Sequence, residues 1–429
     1  MNVLIIGSGG REHALAWKAL QSPKVEKVFV APGNAGTALE TNIVNVDIGV
    51  GEFEALAAFA KDNHCGLTIV GPEQPLVDGV VNYFDAQGLK CFGPSKGAAQ
   101  LEGSKAFTKD FLARHHIPTA AYANFTDVEP ALAYLKKMGA PIVVKADGLA
   151  AGKGVIVAET LTDAEDAVKD MLSGNAFGDA GCRVVIEEFL VGEEASFIVI
   201  VDGENVVPMA TSQDHKRVGE GDTGLNTGGM GAYSPAPVVT PTIHQRIMDE
   251  VIYPTVKGMA QEGNDYVGFL YAGLMIDSDG TPKVIEYNCR FGDPETQPIM
   301  MRMQSDLVEL CDQAIDGRLA GVESKWDERA AVGIVLAAGG YPGSYNKGDI
   351  ISGIAAEQEH AKVFHAGTIA NESGNILTNG GRVLCATALG NTVTAATAAA
   401  YESASSISWK DAFYRKDIAW RAIERENKA

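Results

Sequence analysis

The sequence has no apolar run of about 18 residues, the length a membrane-crossing helix needs; its longest runs, such as Phe197–Val201, are strand-sized. No membrane span is expected. There is no CxxC pair and no His/Cys cluster. The six cysteines stand scattered at 65, 91, 182, 289, 311 and 385, which argues against zinc and reads as reduced core thiols. Positive charge is also in deficit: 35 Lys+Arg face 55 Asp+Glu, a net charge of −20. Without a basic face the chain is not expected to bind nucleic acid. The opening MNVLIIGSGGREH lacks a basic leader and reaches a glycine turn at once. It reads as a first strand, not a signal peptide, and a cytoplasmic location is expected. No GxSxG, no Cys with a local His signature and no HExxH occur. His115-His116 reads as a helix-end pair that meets the dipole.

What is present in excess is glycine, 48 of 429 residues, about 11% against a usual ~7%. The glycines sit in discrete loops. Hydrophobic residues at 46% exclude a disordered chain, and the length suggests two to four domains. Apolar runs at Asn2–Ile6, Lys27–Val30, Leu67–Val70 and Leu89–Phe92 alternate with helical stretches. That alternation predicts a parallel, doubly wound α/β domain ending near residue 103. A strand–loop–strand unit at about 121–190 reads as a small mobile lid. The segment 213–237 reads as loop, followed by a helix and two strands. From about residue 327 a third, β-rich domain is expected, with an Ala-rich helix at Val393–Ser406.

Three loops could carry chemistry. Gly7-Ser8-Gly9-Gly10-Arg11-Glu12 follows the first strand and opens a helix. A dinucleotide fingerprint wants a third glycine where Glu12 stands, and an acid after the second strand, which ends in Ala31-Pro32-Gly33. Nicotinamide binding is disfavoured. Two readings stay open: an anion at the helix amino end beside Arg11, or glycines that merely close a tight turn. The run Asp147–Gly154 follows Lys145 and departs from a Walker A loop in spacing and in its flanking strands. A glycine hairpin can still fold over phosphates, with Lys145 and Lys153 neutralising charge. A lysine ending an apolar strand needs a partner or a ligand. Glu286 and Asn288 share one face of a strand. Their oxygens suit Mg²⁺ held jointly with phosphates, although acidic strand ends are common. Arg290 follows and could clamp a carboxylate or phosphoryl group.

Lys105, Lys145 with its glycine loop, Glu187-Glu188-Phe189-Leu190 and Glu286-x-Asn288 come in the order of ATP-grasp enzymes. GGREHALAWK, KADGLAAGKGV, NTGGMGAYSPAP and RFGDPETQ resemble, within that superfamily, the phosphoribosylamine–glycine ligase family, essentially end to end. The resemblance implies three parts: a Rossmann-like amino-terminal domain (1–103), an ATP-grasp domain (104–326) with a lid at about 121–190, and a β-rich carboxy-terminal domain (327–429). It implies ATP, glycine and 5-phosphoribosylamine as substrates, and Mg²⁺ or Mn²⁺ as metal. It implies a monomer, in transient contact with neighbouring purine-pathway enzymes.

Residue by residue, the resemblance gives ATP to Lys105, Lys145, Gly148, Gly152, Lys153, Gly154, Glu187, Phe189, Leu190 and Glu194. It gives metal to Glu286 and Asn288, and phosphoribosylamine to Gly9, Gly10, Arg11, Glu73 and Lys216. Arg290, Asp293 and Asp214 are the expected catalytic residues. Many ATP-grasp enzymes carry a second acidic metal ligand on the preceding strand, where this sequence has Gly273. The rivals are a nicotinamide oxidoreductase and an ATP-grasp carboxylase.

Overall fold

The first sheet is built from short Val/Ile/Leu-rich strands, buried on both sides. Asn2–Gly7 lies between Lys27–Pro32 and Cys65–Val70, with Ile43–Asn45 and Cys91–Phe92 outermost, all parallel. Side chains alternate across a strand. Leu4 and Ile6 therefore enter one core, with Leu56 and Phe84 from the covering helices Phe53–Asp62 and Val80–Ala86. Val3 and Ile5 enter a second core with Leu15 of helix Gly10–Ala19. A computed structural model describes residues 1–149, 154–173 and 183–428.

The segment between Tyr122 and Glu188 carries its own antiparallel sheet, in the order Tyr122–Phe125, Val184–Glu188, Ile142–Ala146, Val155–Ala158. Helices Val128–Met138 and Leu161–Leu172 close a separate apolar cluster against it through Leu135, Val168 and Met171. A longer sheet follows, in the order Val206–Pro208, Glu193–Asp202, Val267–Ile276, Pro282–Asn288. It presents the Glu286–Asn288 strand end.

The segment 213–237 is not the expected loop. It forms the short strands Gln213–Asp214, Arg217–Gly219, Thr223–Asn226 and Gly231–Ser234. Gln213–Asp214 pairs with Gly231–Ser234, which pairs in turn with Ala330–Ala337. The rest of that sheet is Arg382–Gly390 and Ala361–His365. Strands of two to four residues show no alternation to read, and the strand that anchors Gly231–Ser234 lies about a hundred residues further on. The expected helix at 243–261 is also interrupted. Pro241–Ile247 and Tyr253–Gln261 flank a π-helical turn, Met248–Ile252, just before Pro254, which has no N–H to donate. The chain ends in a polar helix, Trp420–Lys428, that no apolar period announced.

Candidate active site

A cavity of about 910 Å³ lies between these units. Its first wall is cationic. Lys105, first residue of helix Lys105–Arg114, donates to the Gly148 carbonyl at 2.7 Å. Lys145 ends its apolar strand 3.0 Å from Glu187 and donates to the Ile285 carbonyl at 3.2 Å. Glu187 also pairs with Lys109 at 2.9 Å. All three side chains are buried, so each ammonium depends on that one carboxylate. Burial lowers the Lys105 ammonium and brings Lys109 down to about 8. Glu187, expected at the nucleotide, is thus occupied by two lysines. Lys109 was missed, although it lies one helical turn beyond Lys105, on the same face.

Phe189 and Leu190 line the cavity beyond Glu187, and Gly148 and Gly154 line it at the hairpin. Gly152 and Lys153 lie outside the described residues. Glu193 and Glu194 point to opposite sides of their strand. Glu193 is held by Arg425 at 2.6 Å, while Glu194 lines the cavity 3.0 Å from Lys216. Lys216, expected beside phosphoribosylamine, bridges Glu194 and Glu286, the latter at 3.7 Å.

Glu286 and Asn288 both line the cavity. Burial alone would lift Glu286, but Lys216, Lys145 and Lys105 hold its carboxyl below the usual range. Gly273 pairs with Glu286 across the sheet, and a Cβ there would meet Glu286 Cγ at 3.2 Å. Asp214, removed from water, is raised well above an ordinary aspartate despite Lys216. Glu295, which sequence reading missed, is buried and accepts from Ser196 at 2.9 Å and Tyr271 at 3.0 Å.

A second part of the lining joins the amino-terminal domain to the Arg290 turn. Arg290 lies 3.3 Å from Glu73 and 2.9 Å from Glu102. Glu102 also accepts from the Cys289 amide at 2.7 Å, and burial pushes its carboxyl up to about 7. Asp293 faces Arg382 at 3.3 Å and accepts from Gln297 at 3.0 Å. Burial would raise it, but Arg382 and Arg11 keep it below the usual range. Arg11 donates to Glu12 and to the Phe291 carbonyl at 3.3 Å, with Glu73 at 4.0 Å.

Gly9 and Gly10 do not line the cavity. The Gly9 amide donates to Glu12 at 2.6 Å, so a carboxylate from the chain itself caps the helix where an anion had been one reading. A Cβ at Gly10 would fall 2.5 Å from Gln297 Nε2, so glycine there permits close packing. Glu102 and Arg382 gave no sequence signal, because each is defined by a partner far along the chain.

The model of the phosphoribosylglycinamide synthetase N domain matches residues 1–102, that of its ATP-grasp (A) domain 103–296, and that of its C domain 331–421. The chain belongs to the phosphoribosylglycinamide synthetase family. Phosphoribosylamine–glycine ligase of Vibrio parahaemolyticus is 74% identical over 427 residues, covering 99% of each chain. That of Escherichia coli O157:H7 is 70% identical, covering 99% of this chain and all of its own. The crystal structure of phosphoribosylamine–glycine ligase from Thermotoga maritima superposes with a TM-score of 0.85 at 35% identity, over 98% of this chain and all of that one. Biotin carboxylase from Campylobacter jejuni shares the fold alone, with a TM-score of 0.73 at 17% identity over 96% of this chain and 92% of that one. The synthetase family's ATP-grasp domain brings with it ATP and a divalent metal ion as general requirements. No helix among the described residues is long and apolar enough to cross a membrane.

Proposed function

We propose that this chain ligates glycine to 5-phosphoribosylamine, converting ATP to ADP and phosphate and giving glycinamide ribonucleotide, a step of de novo purine synthesis. One observation carries the reading. The lysine wall and the Arg290–Asp293 turn line one cavity, and Arg11 and Glu73 of the amino-terminal domain reach that turn. A polyphosphate can lie on one side and a second substrate on the other, with the acceptor between them.

In this reading Lys105 and Lys145 neutralise the nucleotide phosphates, and Phe189 and Leu190 border the base. Glu194 takes the ribose hydroxyls. The hairpin at Gly148 and Gly154 closes over the phosphates, and the 121–190 lobe is the lid of the 104–326 domain. A glycine carboxylate oxygen attacks the γ-phosphorus while the bond to the β-phosphate oxygen breaks, and ADP leaves. Arg290 holds the resulting glycyl phosphate, and Asp293, kept ionised, orients the glycine ammonium. The amine of phosphoribosylamine then attacks the acyl carbon and loses a proton, and phosphate departs. Arg11 and Glu73 orient that amine substrate, and Asp214 borders its path. The chain itself positions and neutralises charge and needs no covalent nucleophile.

One carboxylate and one carboxamide, without His or Cys, fit a hard divalent ion, Mg²⁺ or Mn²⁺. Glu286 and Asn288 would hold it, and when bound it supplies charge neutralisation at the phosphates. Purified chain should release phosphate from ATP only when glycine and phosphoribosylamine are both present, with no nicotinamide absorbance change. Release dependent on bicarbonate instead would favour the carboxylase rival.

A further inference from the structure

We infer that the carboxy-terminal helix Trp420–Lys428 is a strut of the nucleotide site, with Arg425 a positioning residue that acts through Glu193 on Glu194 and through Gln213 on Asp214–Lys216. The inference rests on the assignment of Glu194 to the nucleotide ribose.

The helix docks through Ala422 and Ile423, which meet the carboxy-terminal core, and otherwise by charge. Only Ala422 in it is buried. Arg425 instead donates both terminal nitrogens to the two oxygens of Glu193, each at 2.6 Å. This planar, two-point fork fixes orientation as well as distance. Glu193 also accepts from Gln213 Nε2 at 2.8 Å, and the same nitrogen donates to the Glu194 carbonyl at 2.9 Å. Tyr233 fixes the other end of that amide, donating to Gln213 Oε1 at 2.9 Å. Arg425, Glu193 and Gln213 therefore form one unit that sets the backbone of Glu194 and the residue before Asp214.

The same terminal segment grips the far side of the turn. Arg421 donates to Asp222 at 2.7 Å, and fully buried Arg415 donates to Asp222 at 2.9 Å and to the Arg217 carbonyl at 3.0 Å. His215, between Asp214 and Lys216, accepts at Nε2 from the Ala419 amide at 2.9 Å. Its other nitrogen then carries the proton and faces Asp222 at 3.8 Å. Both flanks of the Asp214–Lys216 turn are tied to residues 415–425.

The strand end needs such a tie. The segment leading into it has Phe189 37% and Val191 77% exposed, so packing does not fix it. Glu193 is the first residue after this stretch held by a charged bond. Pairing with Ile276 and Met275 sets which face each glutamate takes, and Arg425 clamps the Glu193 side chain at the very end of that ladder, one residue before Glu194.

The test compares steady-state kinetics of the full-length chain with its Arg425→Ala, Arg425→Lys, Glu194→Ala and Arg425→Ala/Glu193→Ala variants. Arg425→Ala should raise the KM for ATP about three- to tenfold, the scale of one partly exposed bidentate pair. The KM for phosphoribosylamine should rise less than the KM for ATP, since of these residues only Asp214 borders its path. Arg425→Lys should recover part of the loss, and the double variant should be no worse than Arg425→Ala, because the two residues act as one. A lower melting temperature with an unchanged KM for ATP would reduce Arg425 to a structural role and overturn the inference. Glu194→Ala separates the two layers. An ATP defect there but none in Arg425→Ala sinks the strut alone. A defect in Arg425→Ala but none in Glu194→Ala sinks the ribose assignment and leaves the strut acting through the Asp214–Lys216 turn.

Discussion

Glu102→Gln should separate what activity asks of the Arg290 turn from what stability asks. The Glu102 carboxyl, 7% exposed, accepts from the Arg290 guanidinium at 2.9 Å and the Cys289 amide at 2.7 Å, yet burial lifts it from 4.5 to about 7. A group raised in the folded state adds stability below its unfolded value, and loses it as pH rises through the folded one. The difference converts to about 3 kcal/mol. The protein should therefore lose up to about 3 kcal/mol between pH 4.5 and 8 through this residue. Glu102→Gln should lack that contribution, so the loss with rising pH should be smaller than in wild type by that amount. Activity runs the other way, because only the ionised carboxylate gives Arg290 a charge-assisted bond worth about 1.5–3 kcal/mol. Wild-type kcat/KM for glycine should fall about ten- to over a hundredfold below an apparent pKa near 7. Glu102→Gln should sit at the lower level throughout, without that limb. Denaturant titrations and pH–rate profiles on both proteins measure the two effects. A variant as active as wild type at pH 8, or one that keeps the limb near 7, would refute the positioning of Arg290 by Glu102.

Three further outcomes are expected. Glu286→Gln should raise the metal concentration for half-maximal turnover by at least about tenfold while leaving the melting temperature near wild type, since the residue holds charge rather than packing; unchanged metal dependence would remove Glu286 from the ligand set. Arg11→Ala should raise the KM for phosphoribosylamine about ten- to over a hundredfold, through loss of one charged bond, and leave the KM for ATP alone; a defect confined to ATP would contradict it. Hydrogen exchange across Gly148 and Val155–Ala158 should slow when a non-hydrolysable ATP analogue binds, as a closing lid requires; unaltered exchange would argue for a fixed hairpin.

Much of this arrangement was legible because some residues make demands that local sequence reveals. A lysine closing the apolar run before Ala146 requires a counter-charge, and Glu187 supplies it from the neighbouring strand. Glu286 and Asn288 at alternate strand positions had to share a face, and they do share a cavity. Residues defined by distant partners were opaque. Glu102 matters because Arg290 folds against it, and Arg382 because Asp293 does. The strands Gln213–Asp214 and Gly231–Ser234 were read as loop because they are too short to show a period, and their stability comes from Ala330–Ala337. The helix Trp420–Lys428 has only a short apolar face, Ala422 and Ile423, and Arg421 and Arg425 complete its docking.

The central claim is that glycine is activated as an acyl phosphate in the space between the lysine wall and Arg290. Glycine labelled with heavy oxygen in its carboxylate tests this directly. If carboxylate oxygen attacks the γ-phosphorus and phosphate later leaves the acyl carbon, one labelled oxygen must depart with each phosphate released. Mass spectrometry of the phosphate should find that oxygen in every turnover that forms glycinamide ribonucleotide. Product formed with unlabelled phosphate would mean that glycine never bonded to phosphorus, and would contradict the account.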